Sequence, residues 1–128
     1  GHVAQVLALA AQCPAAAYCI RWIIAVDDDI DPTDINEVMW AMSVHSNPAD
    51  EIDILRKTWS YRTDPSLAPE MRPYGSKALI DACVPHRFRV GMARRARIRR
   101  DTYERVSARW SELGLDGQPP KLMHFHKE

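Results

Sequence analysis

The stretch that most constrains the fold spans residues 20–42, where an apolar segment changes abruptly into a cluster of aspartates and then into a helical pattern. Residues 20–26 are apolar at almost every position and rich in β-branched side chains, which predicts a central strand buried on both faces. Carboxylates follow at once and predict a tight turn. The stretch therefore predicts a strand, an acidic turn and a helix, which together form the core unit of an α/β domain.

The helix of this unit has a start signature. Asp31 is a favourable N-cap, Pro32 fits the first helical position, and Asp34 can complete a short capping box. Apolar residues then recur with the spacing of one buried helix face, namely Ile35, Val38, Met39 and Met42.

Composition limits the class of protein. The chain has 128 residues, of which 46% are hydrophobic, and its 17 basic and 17 acidic residues give a net charge of zero. This length predicts one domain, and the neutral charge predicts neither a nucleic-acid nor a membrane partner. Three cysteines without a CxxC pair indicate reduced thiols in a cytoplasmic protein. Because the chain begins with Gly1-His2 rather than Met, we interpret it as a fragment or a processed product.

The rest of the chain predicts a single domain over residues 1–115 with a central buried sheet flanked by helices, followed by a polar tail over residues 116–128. Near the end of the domain, Asp101 and Glu104 form a capping box for a last helix that Gly114 ends. Four other segments complete the prediction: a helix over 3–13 with Val3, Val6, Leu7 and Ala10 on its buried face, a half-exposed strand over 51–55, a long loop over 58–73 and a buried strand over 77–83.

The acidic turn is the first candidate for chemistry. Asp27, Asp28 and Asp29 follow the predicted strand, and ligands of open α/β sheets bind at the carboxyl ends of strands. Carboxylate oxygens suit Mg²⁺ or Mn²⁺. Aspartates are also favourable beside a helix N-terminus for structural reasons alone, and we prefer that interpretation. The turn is therefore a candidate cleft-facing surface rather than a metal site.

Two other groups of residues have a structural and a functional interpretation. An arginine run over residues 87–100 could bind anions or RNA, but in a neutral chain a solvated or subunit-contact surface fits better. The tryptophans fit core or interface positions better than cofactor stacking. The sequence contains no Gly-rich phosphate loop and no nucleophile elbow.

Several separated motifs resemble one family. The runs VDDDIDPTDINEVMWAMS, DIDILRKTWS, DPS…RPYGSKALIDAC and ERVSARWSELGL occur in order and are similar to the C-terminal domain of the UbiD family, reversible decarboxylases that use prenylated FMN. The resemblance covers residues 1–115. The loop is similar to that of members acting on aromatic or phenolic acids.

The resemblance implies an α/β domain that mediates oligomerisation and closes against a preceding cofactor domain. In the family, that preceding domain holds prenylated FMN, a divalent metal (Mn or Mg), potassium and the catalytic Arg and Glu residues. None of those motifs occurs in this chain, so we assign it no catalytic, cofactor-binding or metal-binding residue.

We therefore expect the C-terminal domain of a UbiD-like carboxy-lyase that is inactive in isolation, forms a homo-oligomer and provides one wall of the active-site cleft. Trp59 and Trp110 are the candidate interface anchors. Two alternatives stay open at this point. One is a fragment of a Mn-dependent nucleotide-sugar transferase that uses the aspartates at 27–29, and the other is a stand-alone interaction module.

Overall fold

The computed structural model describes residues 2–88, 90–92 and 96–121. The chain divides into two compact units, Gly1–Val90 and Gly91–Glu128, and each is described by itself. Among the described residues, all three strands belong to the first unit. No helix among the described residues of either unit is long and apolar enough to cross a membrane.

The sheet of the first unit consists of β1 (Trp22–Val26), β2 (Ile52–Trp59) and β3 (Tyr74–Ala82), in the order β1-β3-β2. β1 runs parallel to β3, and β2 runs antiparallel to it. The α/β fold class is confirmed. The prediction that the first strand is central was wrong: β1 lies at an edge of the sheet, and the side chain of Trp22 is 67% exposed.

The central strand is β3, which the sequence predicted as a shorter buried strand. It pairs on both sides, and its residues from Lys77 to Ile80 are all buried. The apolar character of β1 has a different cause. A helix packs on each face of this short strand, so its side chains are apolar although one backbone edge has no neighbouring strand.

Helices lie on both faces of the sheet. The helix α1 (His2–Gln12) covers one face with Leu7 and Ala11 packed against Leu79 of β3. The helix α2 (Ile35–His45) covers the other face, where buried residues of α2 and β3 form the larger core cluster with Ile30. A short helix α3 (Pro48–Glu51) leads into β2.

The predicted buried faces of the two helices were only partly right. In α2, Val38 is buried and Met42 packs against the core, but Ile35 is 65% and Met39 51% exposed. The buried stripe runs instead through Val38, Ala41 and His45. In α1, Leu7 is buried as predicted, whereas Val6 is 56% exposed.

The start of α2 also differs from the prediction. Its N-cap is Asp34, whose Oδ1 accepts a hydrogen bond from the backbone N–H of Asn36 at 2.9 Å. Asp31 instead stabilises the turn before the helix. Its Oδ1 accepts two hydrogen bonds from Thr33, one from the backbone N–H at 2.9 Å and one from the side-chain hydroxyl at 2.7 Å. The aspartate nearest to the first apolar helical residue is therefore the cap.

This capping assignment predicts a measurable difference. Asp34→Ala should lower the free energy of unfolding by about 1 kcal/mol, because the first turn of α2 loses a side-chain acceptor. Urea denaturation followed by circular dichroism measures the change. Asp28→Ala is the matched control, since Asp28 is exposed in the preceding turn. Equal stability of the two variants would contradict the assignment.

The described part of the second unit contains one α-helix, α4 (Arg100–Ala108). Its N-cap position is Arg99 and no side chain caps it, so the predicted capping box is wrong. Asp101 lies in the first turn, where a hydrogen bond from the backbone N–H of Thr102 lowers the pKa of its carboxyl. Arg89, Arg94 and Arg95 of the arginine run lie outside the described residues. The predicted division into residues 1–115 and a tail over 116–128 stays a prediction.

Candidate functional site

The acidic turn follows β1 as predicted, but its three aspartates are not equivalent. Asp27 is half-buried, and its Oδ2 accepts a hydrogen bond from the backbone N–H of Val84 at 2.6 Å. This contact ties the turn after β1 to the segment that follows β3. Asp28 and Asp29 are exposed. Asp27 therefore has a structural role, and the other two carboxylates face solvent.

A cleft of about 560 Å³ lies at the carboxyl edge of the sheet. Because β1 and β3 are parallel, their carboxyl ends meet at this edge, the place where ligands bind in open α/β sheets. The antiparallel β2 begins at the same edge. The polar residues that line the cleft are His2, Asp27, Glu51, Asp81, Cys83 and His86.

The cleft is acidic rather than basic. Three carboxylates line it, and the other ionisable groups among its described lining residues are two imidazoles and a thiol. One carboxylate oxygen of Asp81 already has a hydrogen-bond partner, since Oδ1 accepts from the backbone N–H of Cys83 at 3.0 Å. Among the described residues, no three His, Cys, Asp or Glu side chains are grouped to hold a metal ion. Such a wall can accept hydrogen bonds and attract cations.

This cleft was not predicted from the sequence, although the sequence contains a signal for it. Asp81 ends the second predicted buried strand in the way that Asp27 ends the first. Two parallel neighbouring strands bring such residues to one edge. The missing information was that these two strands are neighbours, which the sequence spacing alone does not state.

Two buried ionic side chains were also missed, and both lie at the opposite end of the sheet. Asp64, in the loop after β2, is 1% exposed and forms an ion pair with Arg21. Lys77 of β3 is 2% exposed. Its Nζ donates hydrogen bonds to the carbonyl oxygens of Ala16 at 2.8 Å and Ile20 at 2.7 Å, and burial lowers its pKa. These residues hold the loops at the amino end of β3.

The candidate interface residues Trp59 and Trp110 belong to different units. Trp59, the last residue of β2, is 55% exposed and stacks on Tyr18 with a centroid distance of 5.4 Å. Trp110 is half-buried, and its indole N–H donates a hydrogen bond to the carbonyl of Asp116 at 3.3 Å. Of the two, Trp59 presents the larger exposed fraction.

Residues 1–82 match the UbiD C-terminal domain, described as the C-terminal domain of 3-octaprenyl-4-hydroxybenzoate carboxy-lyase. The match covers more than half of the chain. The chain belongs to the UbiD family. The sequence-based recognition of this family is confirmed, and it leaves the nucleotide-sugar transferase hypothesis without support.

Several relatives of this UbiD-family chain are described as decarboxylases. It is 40% identical over 68 residues to a phenolic acid decarboxylase of Streptomyces sp. (strain D7), covering 52% of this chain and 14% of the relative. It is 27% identical over 107 residues to the pyrrole-2-carboxylic acid decarboxylase of Pseudomonas aeruginosa, covering 78% of this chain and 22% of the relative. The chain thus spans less than a quarter of the length of either relative.

Solved structures of the UbiD class share the fold. The vanillic acid decarboxylase of Sedimentibacter hydroxybenzoicus in its closed form superimposes with a TM-score of 0.64 at 24% identity, over 88% of this chain and 24% of that one. HmfF of Pelotomaculum thermopropionicum, solved in complex with FMN, gives a TM-score of 0.57 at 24% identity, over 66% of this chain and 18% of that one.

The cleft at the carboxyl edge of the sheet does not fit the phosphate of a flavin mononucleotide. The phosphate of such a cofactor needs cationic or N–H donors, whereas the cleft at the carboxyl edge is lined by the carboxylates of Asp27, Glu51 and Asp81. The described residues also lack a grouped set of metal ligands. We therefore derive no chemical step through a flavin or a metal on this chain.

Proposed function

We propose that this chain is the C-terminal domain of a longer decarboxylase that reversibly removes carbon dioxide from an aromatic or unsaturated carboxylic acid. Its own roles are association with further copies and the formation of one wall of the active-site cleft. The observation that carries the proposal is the family match over residues 1–82, together with relatives that act as phenolic acid and pyrrole-2-carboxylic acid decarboxylases.

The acidic edge of the sheet supports the role as a cleft wall. Its cleft has a volume of about 560 Å³ and is lined by Asp27, and the exposed Asp28 and Asp29 follow Asp27 in the turn after β1. A carboxylate substrate is repelled by such a surface. We therefore expect the groups that bind the substrate carboxylate to lie on the opposing domain. The acidic surface of this chain would then close the cleft, and its carboxylates would pair with cationic groups of that domain.

Prenylated FMN, with a divalent metal (Mn or Mg) and potassium, belongs in this proposal to the part of the enzyme outside this chain. A cytoplasmic location is part of the same proposal and is supported by the three cysteines, none of which forms a disulfide. The residues encoded upstream of Gly1 test the proposal directly, because a flavin-binding domain must precede this one. A different preceding domain would contradict it.

The isolated chain should not decarboxylate aromatic acids, because its sequence contains none of the cofactor-binding and catalytic motifs that the resemblance places in a preceding domain. The measurement supplies purified chain with prenylated FMN, Mn²⁺ and potassium and follows the loss of vanillate and 3,4-dihydroxybenzoate by chromatography. A full-length UbiD enzyme under the same conditions is the positive control. Turnover above the rate without protein would contradict the proposal.

The chain should form a closed oligomer at micromolar concentration, with a two-fold dimer as the simplest form. Large apolar side chains remain on its surface, including Leu9 at 72%, Trp59 at 55% and Met39 at 51% exposure, and association with another copy would remove part of this apolar area from water. Sedimentation velocity over a tenfold range of concentration measures this association. A monomer throughout would remove the association role and leave only the role as a cleft wall.

A further inference from the structure

A second pocket lies beside the end of β2, and its charge is opposite to that of the acidic cleft. It has a volume of about 290 Å³ and is lined by the end of α1, the connector after α1 and the second half of β2. Besides two alanines, its lining consists of Gln12, Leu55, Arg56, Lys57, Thr58 and Trp59. None of these described lining residues is acidic, and two are cationic. The pocket therefore favours an anion, whereas the acidic cleft favours a cation.

The two cations of this pocket are not neutralised within the described part of the chain. Arg56 and Lys57 are exposed, and no ion pair among the described residues includes either of them. Two neighbouring like charges repel each other, and an anion that contacts both relieves this repulsion. The end of α1 acts in the opposite direction, because a helix C-terminus carries roughly half an elementary negative charge. Two full positive charges exceed that contribution.

The backbone of β2 is irregular at this pocket. A bulge between Arg56 and Thr58 contains the extra residue Lys57, whose φ of 54° is left-handed. This conformation is uncommon for a residue other than glycine, and such strained residues cluster at ligand sites. Bulges are also frequent next to binding sites, where they redirect a side chain. Glycine would adopt the same conformation at no steric cost, so the property that lysine adds at this position is its charged side chain.

The aromatic ring of Trp59 and the size of the pocket restrict the ligand further. The indole stacks on Tyr18 with a centroid distance of 5.4 Å and an interplanar angle of 11°, which supports the plane of the ring. Trp59 nevertheless remains 55% exposed, so it can pack against an aromatic ligand. An engineered cavity of about 150 Å³ holds one benzene molecule. A pocket of about 290 Å³ therefore holds one substituted ring together with its charged group.

We propose that this pocket binds a single-ring aromatic carboxylate. The carboxylate pairs with Lys57 and Arg56, and the ring packs against Trp59. The hydroxyl of Thr58 is available for hydrogen bonds to polar ring substituents. This inference goes beyond the proposed function and does not depend on it, because every group that it uses belongs to this chain.

Binding of benzoate to the full chain tests the site. Isothermal titration calorimetry at low salt should give one site per chain with a Kd below about 1 mM. Two probes separate the two parts of the recognition. Cyclohexanecarboxylate keeps the charge without the aromatic ring and should bind about fivefold more weakly. Benzamide keeps the ring without the charge and should bind at least about tenfold more weakly.

Lys57→Gly is the most informative variant, because it removes a cation at a position where glycine suits the backbone. Its melting temperature should equal or exceed that of the wild type, while benzoate binding weakens at least about tenfold. Trp59→Leu should also weaken benzoate binding and should abolish the preference for benzoate over cyclohexanecarboxylate. The matched control is Arg62→Gln, which removes a positive charge at an exposed position outside the pocket and should leave the affinity unchanged.

Three results would overturn the site. The first is an unchanged benzoate affinity in Lys57→Gly, or an equal loss of affinity in Arg62→Gln. The second is inorganic phosphate binding as tightly as benzoate, since the ring would then contribute nothing. The third is no benzoate binding by the wild type at about 10 mM ligand. Each of these results would leave the decarboxylase assignment standing, because that assignment does not use the pocket.

Discussion

Asp64→Ala should lower the free energy of unfolding by about 3 kcal/mol, a large fraction of the stability of a domain of this size. Asp64 is 1% exposed and pairs with Arg21. Its Oδ2 also accepts a hydrogen bond from the Ser60 hydroxyl at 2.7 Å, and its Oδ1 accepts two from the backbone N–H and hydroxyl of Ser66, at 3.0 and 2.9 Å. Alanine removes every one of these acceptors.

The size of this effect follows from the exposure of the partner. Breaking a buried ion pair costs roughly 3–5 kcal/mol when the remaining charge stays buried. The side chain of Arg21 is 38% exposed, so water can solvate it after the substitution, and we expect the lower end of that range. The hydroxyls of Ser60 and Ser66 lose a charged acceptor, which adds to the cost.

Two matched variants separate the contribution of the Asp64 charge from that of a single hydrogen bond. Asp64→Asn keeps the shape and one acceptor oxygen but removes the charge, so we expect a loss between that of Asp64→Ala and that of Ser66→Ala. Ser66→Ala removes one hydroxyl donor and should cost about 1 kcal/mol. Urea denaturation followed by tryptophan fluorescence measures all three free energies. A loss below about 0.5 kcal/mol for Asp64→Ala would show that the loop after β2 does not depend on this carboxylate.

Local patterns in the sequence predicted whether a segment is a helix or a strand better than they predicted which strands lie next to each other in the sheet. The strand before Asp27 and the helix containing Val38 were both predicted, because a short β-branched run and a helical spacing of apolar residues are local signals. The order β1-β3-β2 depends instead on which strands pair across about fifty residues of chain. Nothing in the apolar run of β1 separates a central strand from an edge strand covered by helices on both faces.

Buried polar residues were the least predictable part of the chain. Glu37 is 2% exposed, and its Oε2 accepts a hydrogen bond from the backbone N–H of Asp31 at 3.2 Å. His45 is 8% exposed and donates from Nδ1 to the carbonyl of Ala82 at 3.2 Å. The partner of His45 is set by the packing of α2 over the sheet, so residue spacing could not identify it. The same packing places Ile35 at the surface, where the helical pattern predicted burial.

In the candidate site too, the features that depend on local sequence were predicted and those that depend on tertiary packing were not. Asp27, Asp28 and Asp29 were placed correctly at the end of a strand, because that position depends only on local sequence. Their separate roles depend on β3, since the N–H that binds Asp27 belongs to Val84. Glu51 and Asp81 join the same cleft from two other strand ends. The sequence therefore predicted one acidic turn, and the pairing of strands extends it into an acidic cleft.

Lys77→Ala should also destabilise the chain by about 3 kcal/mol, because it removes a buried four-carbon stem and two hydrogen bonds. Lys77 lies in the central strand β3 and is 2% exposed. Its ammonium holds the connector between α1 and β1 through the carbonyls of Ala16 and Ile20. Lys77→Met is the matched variant, since it keeps most of the stem and removes only the amine. The difference between the two variants separates packing from hydrogen bonding.

The charge of Lys77 predicts how this stability changes with pH. Burial lowers the pKa of its amine below the ordinary value of 10.5, so between the two pKa values the unfolded chain binds more protons than the folded chain. Stability must then rise with pH through that window. The neutral amine still has two N–H donors for the two carbonyls, so no contact is lost. We therefore expect the stability of the wild type, relative to Lys77→Met, to increase as the pH rises towards 10.5. Urea denaturation of both proteins at several pH values measures this difference, and a decrease over the same window would show that the connector binds the ammonium more tightly than water does.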